Sequence, residues 1–484
     1  MTPDLPQYSI VGGGLAGALM AVYLGKAGRS VELFERRPDP ASGTIIGGRS
    51  INLAISVRGI HALEQVGLAD RIMKLAIPMR GRMIHSVDGH THFQPYDKDP
   101  RRCINSISRG GLNAALIDAA RECANVRVQF DWKCTDVDLD APAVELAHAV
   151  TGETRRAPAQ VVLGIDGAFS AVRRSMQRLD RFNYSQRYLS HGYKELTIPP
   201  KPGGGFAMEP NALHIWPRRS FMMIALPNPD GSFTCTMFLR FEGPDSFGAL
   251  GTREDVRRFF EQNFADALPA MPTLLEDFER NPVGSMMTVR CGPWSHAGRV
   301  ALAGDAAHAV VPFYGQGMNA SFEDCAALFE CLTRHTRSTA AAFEEYEQRR
   351  KANSDALADL AIVNFLEMRD KTASRLFHAR KKLERTLHTW LPRLYTPLYT
   401  MVSFTRTPYA EARRRAKTQD VLVGSIAGFL VAVLLAVFFH LVCGVTVVGA
   451  LAEGALITIL ATAAYRTLHD RDRTDARENG ALLP

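Results

Sequence analysis

Gly12, Gly14 and Gly17 stand at the spacing Gly-x-Gly-x-x-Gly, directly after the apolar pair Ile10 and Val11, and Glu35 follows 18 residues after Gly17. Residues of these types at this spacing can hold a pyrophosphate. Gly12 allows a tight turn, Gly14 leaves no Cβ between backbone and phosphate oxygens, and Gly17 lets a helix pack close to a strand. The free N–H groups and dipole of that helix favour an anion at its start. A carboxylate at Glu35 can accept from a ribose hydroxyl. Together these residues mark an adenine-dinucleotide site, with Val11 beside it, and leave NAD and FAD both open.

Two later motifs bear on that choice. In "GIDGAFSAVRR", Asp166 and Gly167 follow the apolar "QVVLGI" and precede a helix with Arg173. In "RVALAGDAAH", Gly304 and Asp305 follow another apolar strand, and Asp305 can accept from the hydroxyls of a ribityl chain. "PFYGQGMNASFEDC" then runs through Gly315 and Gly317 into a helix. Such a helix start suits an isoalloxazine, because reduced flavin carries negative charge near N1 and O2. An NAD dehydrogenase needs no second site of this kind, so the order of the motifs favours FAD.

The elements that must position these groups follow from periodicity and turn residues. "YSIVGGGLAGALMAVYLGKAGRSVELFERR" reads as strand, helix closing at Gly28, and second strand. Arg58 to Val66 reads as a helix, and "MRGRMIHSVDGHTHFQPYD" as a hairpin turning at Asp88-Gly89. "SRGGLNAALIDAAREC" is helical and "VRVQFDWKCTDVDLD" is read as one strand. From about Tyr188 to Phe278, aromatic and β-branched runs broken by Pro/Gly turns predict a mostly antiparallel sheet inserted into the dinucleotide domain. The expected class is α/β: a Rossmann-type FAD-binding domain with an inserted antiparallel β-sheet substrate domain, a helical C-terminal region and a C-terminal transmembrane tail. The expected boundaries are 1–187 and 285–338 for the two FAD-binding parts, with 80–100 lending a hairpin to the substrate site. The substrate sheet takes 188–284, the helical cover 339–420, the anchor 421–465 and a polar tail 466–484.

Composition narrows the partners. The chain has 484 residues, a net charge of +7 and eight cysteines with no metal-ligand spacing, so neither a metal site nor a disulfide framework is expected. Its basic residues are scattered, and the densest group, Arg413, Arg414, Arg415 and Lys417, precedes an apolar tail. That placement indicates a membrane flank rather than a nucleic-acid patch. Residues 421–452 contain no Asp, Glu, Lys or Arg, and the apolar run continues past Glu453 to Tyr465. This is enough for one generous span or two linked ones. The N-terminus "MTPDLPQYSI" reads as neither signal nor transit peptide. The expected location is a bacterial inner membrane with a cytoplasmic body, a mitochondrial outer membrane being the second choice. Nothing in the sequence assigns an oligomeric state.

Taken together, Gly12-x-Gly14-x-x-Gly17, Asp166-Gly167 and Gly304-Asp305 resemble the three signatures of the single-component aromatic hydroxylases that use FAD and NAD(P)H. No second Gly-x-Gly-x-x-Gly unit is present, as expected in that family, where the nicotinamide nucleotide has no Rossmann domain of its own. Within the family, "GRSINLAISVRG", "RGRMIHSVDG", "PFYGQGMNASFEDC", "NFLEMRD" and "PLYTMVSFT" resemble the kynurenine-hydroxylating branch, from near residue 8 to about 405. The resemblance implies bound FAD, with NADPH, O2 and L-kynurenine as partners. It implies transfer of a hydroxyl to the ring carbon ortho to the amine through a flavin C4a-hydroperoxide, with no side chain as essential acid or base.

By the same resemblance, Arg82, Tyr96, Asn364 and Tyr399 would contact the amino-acid end of the substrate, and Glu35, Arg36, Ala54, Arg109, Asp305, Met318 and Asn319 would contact FAD. Phe313, Met368 and Phe238 could be apolar pocket walls. Taken without it, Arg82 reads as a solvated strand arginine, Tyr96 and Tyr399 as packing residues, Asn364 as helix surface, and the three apolar residues as plain core. Two positions depart from the family pattern: Tyr314, where phenylalanine or histidine is expected, and Ile165, where alanine is usual. The competing readings are a hydroxylase of another aromatic acid, a membrane-bound flavin reductase or saturase, and a membrane-tethered FAD-binding sensor.

Overall fold

The computed structural model describes residues 6–42, 52–97, 99–367 and 375–443. Strand Tyr8–Val11 is buried along its whole length, as a strand covered on both faces must be. It pairs in parallel with Val31–Phe34 on one side and Val161–Gly164 on the other. Val126–Gln129 and Val300–Leu302 extend this sheet in parallel, and Ser295–His296 closes it antiparallel. Helix Leu15–Lys26 leaves the first strand through the glycine turn and is buried from Gly17 to Gly25, because helices Arg109–Arg121 and Gly317–Arg334 pack against it.

The second layer is a seven-stranded sheet in the order Gly284–Gly292, Asn183–Ile198, Phe233–Arg240, Phe221–Pro227, Ala212–Arg218, Gly81–His85, Thr91–Pro95. Every pairing in it is antiparallel except Ala212–Arg218 with Gly81–His85. Side chains alternate across it with the period of two that a strand imposes. Trp216, Met223 and Met237 face a core shared with helices Arg253–Asn263 and Leu274–Arg280. Ile215, Met222 and Phe238 face the opposite way, toward Phe313, Tyr314, helix Thr339–Leu366 and Val402. The second face is where the two halves of the molecule meet.

Several local expectations are corrected. The segment read as one strand after residue 125 is two, Val126–Gln129 and Trp132–Asp138, broken where Asp131 takes φ +61°. Trp132–Asp138 leaves the parallel sheet for a separate antiparallel meander with Ala143–His148 and Thr154–Pro158. The inserted part of the seven-stranded sheet runs from Asn183 to Gly292 rather than from 188 to 284, because the 16-residue strand Asn183–Ile198 keeps pairing with Gly284–Gly292 down to the cofactor domain. A further small sheet of Leu53–Ile55, Ile104–Ile107 and Ile77–Met79 was not anticipated.

The C-terminal helix runs unbroken from Tyr409 to Cys443 and crosses the expected domain boundary at 420, since no proline or turn motif interrupts it. It is the one helix among the described residues long and apolar enough to cross a membrane. The possible second span, Glu453 and the polar tail lie outside the described residues.

Candidate active site

The fingerprint glycines have three distinct surroundings. A Cβ on Gly17 would stand 1.9 Å from the carbonyl oxygen of Gly12, and one on Gly12 would stand 2.5 Å from that of Ile165. Gly12 also holds φ +103°, a conformation that L side chains rarely adopt. A Cβ on Gly14, by contrast, meets nothing within 4 Å. Its φ of −69° suits any residue, so protein packing does not require glycine there. A pyrophosphate approaching the start of helix Leu15–Lys26 does.

The Gly14→Ala variant is therefore expected to fold with the same melting temperature in its apo form but to bind FAD about tenfold more weakly, the effect of a clash costing about 1.4 kcal/mol. A drop in apo stability as large as the loss of FAD affinity would make Gly14 a packing glycine instead.

Glu35 is buried, with Oε2 accepting from Gly13 N at 2.8 Å and Oε1 accepting from Arg37 N at 3.0 Å and Nε at 2.8 Å. The carboxylate braces the glycine turn, and its remaining lone pairs are those available to a ribose. Arg36 beside it is exposed.

Asp166 accepts at Oδ2 from Ala171 N at 2.6 Å and Val172 N at 3.3 Å, and so orients helix Ala171–Met176. Its Oδ1 is buried with no partner among the described residues, and burial raises the carboxyl's pKa. Gly304, at φ +61°, turns the chain so that Asp305 opens helix Asp305–His308 and remains exposed. Protein crowds Asp305 closely enough for desolvation to raise its pKa, partly opposed by His308 and Arg109. Arg173 joins the two motifs, donating to Ala306 O at 2.7 Å and to Ala168 O at 2.5 Å.

Sequence reasoning missed the group beneath them. Asp324, fully buried in helix Gly317–Arg334, accepts from Gly304 N at 3.0 Å, from His308 and from Arg350 Nε at 2.7 Å. Burial opposes its charge, but His308 and Arg350 outweigh that and lower the carboxyl's pKa. The available signal was an aspartate directly before Cys325, set among the apolar positions Phe322, Ala326, Ala327 and Leu328 of the helix that follows Gly317.

Asn319 is placed differently from a free cofactor ligand. Its Nδ2 donates to Ala54 O at 2.8 Å and Gly315 O at 2.9 Å, and its Oδ1 accepts from Ser56 N at 2.9 Å. It ties strand Leu53–Ile55 to the turn before helix Gly317–Arg334, and so aligns Ala54, Gly317 and half-buried Met318 along one wall. The glycine cradle, the unpartnered Asp166 oxygen and the open Asp305 carboxylate fit an FAD lying from the Gly12 turn to the Gly315 turn.

The other expected site residues meet at the near end of that wall. Arg82 lies on strand Gly81–His85, paired with Leu213 and Gln94, and Tyr96 follows strand Thr91–Pro95 directly. Beyond Arg82 a buried relay pins the strand: His85 Nδ1 lies 2.7 Å from Asp266 Oδ2, and His85 Nε2 lies 2.9 Å from His214 Nδ1. Burial lowers the pKa of His214 to about 4, so this ring is neutral at physiological pH.

Helix Leu398–Phe404 brings Tyr399 to the same place, 4.6 Å from ring centre to the Arg82 guanidinium and 5.7 Å from the Tyr96 ring. Arg82 Nε and the Tyr96 hydroxyl are buried with no hydrogen-bond partner among the described residues. Buried donors in this state call for an acceptor beyond the described residues. Tyr314 lies 5.7 Å from the Tyr399 ring and links this group to the Gly315 turn. Phe313 packs between Phe238 at 4.9 Å and Phe365 at 4.1 Å. Asn364 donates to Phe313 O at 2.7 Å and so helps to fix the Phe313 wall. Met368 lies outside the described residues.

Comparison with known proteins agrees with this geometry. A family profile described as FAD binding domain matches residues 7–361. The kynurenine 3-monooxygenase of Myxococcus xanthus is 48% identical over 419 residues, covering 87% of this chain and 90% of that one. That of Dictyostelium discoideum is 47% identical, covering 84% and 90%, and that of Anopheles gambiae 42%, covering 86% and 85%. Among solved structures, 2-methyl-3-hydroxypyridine-5-carboxylic acid oxygenase superposes with a TM-score of 0.62 at 19% identity, over 83% of this chain and 96% of that one. Pseudomonas aeruginosa PqsL, in complex with 2-aminobenzoylacetate, superposes with a TM-score of 0.60 at 21% identity, over 78% and 100%. The structures share the fold, while the sequence relatives, which cover nearly the whole catalytic body, place the chain in the kynurenine 3-monooxygenase family of FAD-dependent aromatic monooxygenases.

Proposed function

We propose that this protein hydroxylates L-kynurenine at the ring carbon ortho to its amine, giving 3-hydroxykynurenine, with NADPH as reductant and O2 as oxygen source. The observation that carries this reading is the pair of buried donors, Arg82 Nε and the Tyr96 hydroxyl, beside a row of aromatic rings, Tyr96, Tyr399 and Tyr314, that reaches the Gly315 turn. A guanidinium flanked by two phenols is complementary to a carboxylate. The aromatic walls beyond it, Phe238, Phe313 and Tyr314, suit a ring. Kynurenine carries both.

Held by the Gly12 turn, Glu35, Asp166 and Asp305, FAD would supply the redox chemistry, by which NADPH gives two electrons and O2 gives one oxygen atom to the ring and the other to water. The chain's own residues bind and orient. Arg82, Tyr96 and Tyr399 fix the amino-acid end, and that fixes which ring edge faces the flavin. Because the amine already enriches the ortho carbon in electrons, no side chain is needed as acid or base. Helix Leu398–Phe404 covers the chamber and excludes water.

Helix Tyr409–Cys443 exposes Leu422, Ile426, Phe429, Leu430 and Leu434 after a basic first segment. That pattern supports a membrane anchor with its basic end on the side of the catalytic body.

The test is NADPH oxidation by purified yellow protein with and without L-kynurenine, with the product weighed. The expected result is a several-fold stimulation and a product heavier by one oxygen atom. Stimulation that yields only hydrogen peroxide would make kynurenine an effector of another hydroxylase, and no response would favour a reductase.

A further inference from the structure

Exposed apolar surface is not confined to the C-terminal helix. Helix Arg375–Trp390 ends on Trp390, 79% exposed, and the turn after it carries Leu391 and Leu394, 46% and 73% exposed. The other tryptophans behave differently: Trp216 and Trp294 are buried and Trp132 is half-buried. The turn is well formed. Leu391 N donates to Leu387 O at 2.8 Å, Tyr395 N donates to Leu391 O at 2.9 Å, and His388 Nδ1 lies 2.9 Å from Tyr395 O. Three large apolar side chains held in one rigid exposed turn form a contact surface.

Its position in the fold says what it contacts. Helix Leu398–Phe404 packs on helix Tyr409–Cys443, and Thr396 N donates to Gln419 Oε1 at 3.2 Å. The chain thus leaves Gln419, descends to the start of the C-terminal helix and turns back up along it. The turn that carries Leu394, two residues before Thr396, therefore adjoins the level of Gln419 rather than the helix base. The uncharged run begins at Val421, about 3 Å further along the axis at 1.5 Å per residue. Around this level Arg393, Arg414 and Lys417 are exposed. Tryptophan and leucine beside basic residues, at the depth where a spanning helix leaves water, are matched to the headgroup layer of an anionic bilayer.

We propose that Trp390, Leu391 and Leu394 form a second membrane contact, inserted in the interface of the bilayer that receives the C-terminal helix, with Arg393, Arg414 and Lys417 facing its phosphates. This rests on the anchor reading of Tyr409–Cys443. Its consequence reaches the site. The turn continues directly into helix Leu398–Phe404, so the bilayer surface holds the element that carries Tyr399.

The test uses the full chain reconstituted into vesicles of phosphatidylcholine and phosphatidylglycerol, with acyl chains brominated near the headgroup or left plain, and compares it with Trp390→Phe. Brominated vesicles are expected to quench part of the native protein's tryptophan emission. The quenched component should be lost in Trp390→Phe, while that variant still floats with the vesicles. Equal emission in brominated and plain vesicles by a protein that floats overturns the second contact and leaves the anchor standing. If Trp390 is then also shielded from aqueous acrylamide, its partner is a second copy of the chain. Failure of the native protein to float overturns the anchor reading and the contact with it.

Discussion

Replacing Arg82 with methionine is expected to raise the KM for L-kynurenine about 100-fold, with FAD content and melting temperature unchanged. Methionine keeps most of the apolar stem and removes the charge and the donors. A charge-assisted, largely desolvated pair with a carboxylate contributes on the order of 3 kcal/mol, and each 1.4 kcal/mol is tenfold in affinity. The fold should tolerate the change, because the strand is held by its pairing and by the His85 relay, and methionine keeps an apolar stem against the Tyr96 and Tyr399 rings that face the guanidinium. Decarboxylated kynurenine supplies the control. Wild type and variant should bind it equally poorly, since the partner of Arg82 is then missing from both. If the variant loses as much affinity for the analogue as for kynurenine, Arg82 shapes the chamber without contacting the carboxylate. Arg82→Lys should recover only part of the loss, because an ammonium cannot offer the planar fork.

Much of this arrangement was legible in the sequence where local rules govern. The glycine turn, the strand before it and the Asp305 turn each impose a backbone requirement that few residue types meet, so Gly12, Gly17 and Gly304 announce themselves. Arg82 and Tyr399 are a different case. They are 317 positions apart, and no periodicity foretells that a strand edge and a short helix converge. The structure supplies that convergence through the second face of the seven-stranded sheet, a property of topology. The meander after Asp131 was misread for a related reason: "VRVQFDWKCTDVDLD" keeps its strand-forming residues straight through a positive-φ corner. Arg58 was passed over because an arginine in a helix reads as a solvated residue, and only the assembled fold shows it buried.

That residue carries the second large expectation. Arg58 is 1% exposed, and its guanidinium ties three parts of the molecule together. Nε donates to Val402 O at 3.1 Å, Nη2 to Thr407 O, and Nη1 to Glu323 Oε1 at 2.8 Å. Its plane lies 4.0 Å from the ring centre of Tyr409, whose hydroxyl donates to Gln316 Oε1 at 3.1 Å in the turn before helix Gly317–Arg334. The cover carrying Tyr399 is thus latched to the flavin wall through its own carbonyls. Arg58→Met removes the latch without orphaning Glu323, which keeps Arg350 at 3.2 Å. Losing two hydrogen bonds from a buried charge to the cover costs on the order of 3 kcal/mol, about a 100-fold shift toward its open state. An open cover admits water and frees the ring to turn, so NADPH should still be consumed while a several-fold larger share of it yields hydrogen peroxide instead of hydroxylated product. The ratio of peroxide to product at saturating kynurenine is the measurement, because a general loss of stability would lower both together and leave the ratio unchanged. Arg58→Lys, which can keep one of the two carbonyl bonds, should fall between. A ratio equal to that of the wild type in both variants would mean that packing alone, through Val402 and Tyr409, holds the cover closed.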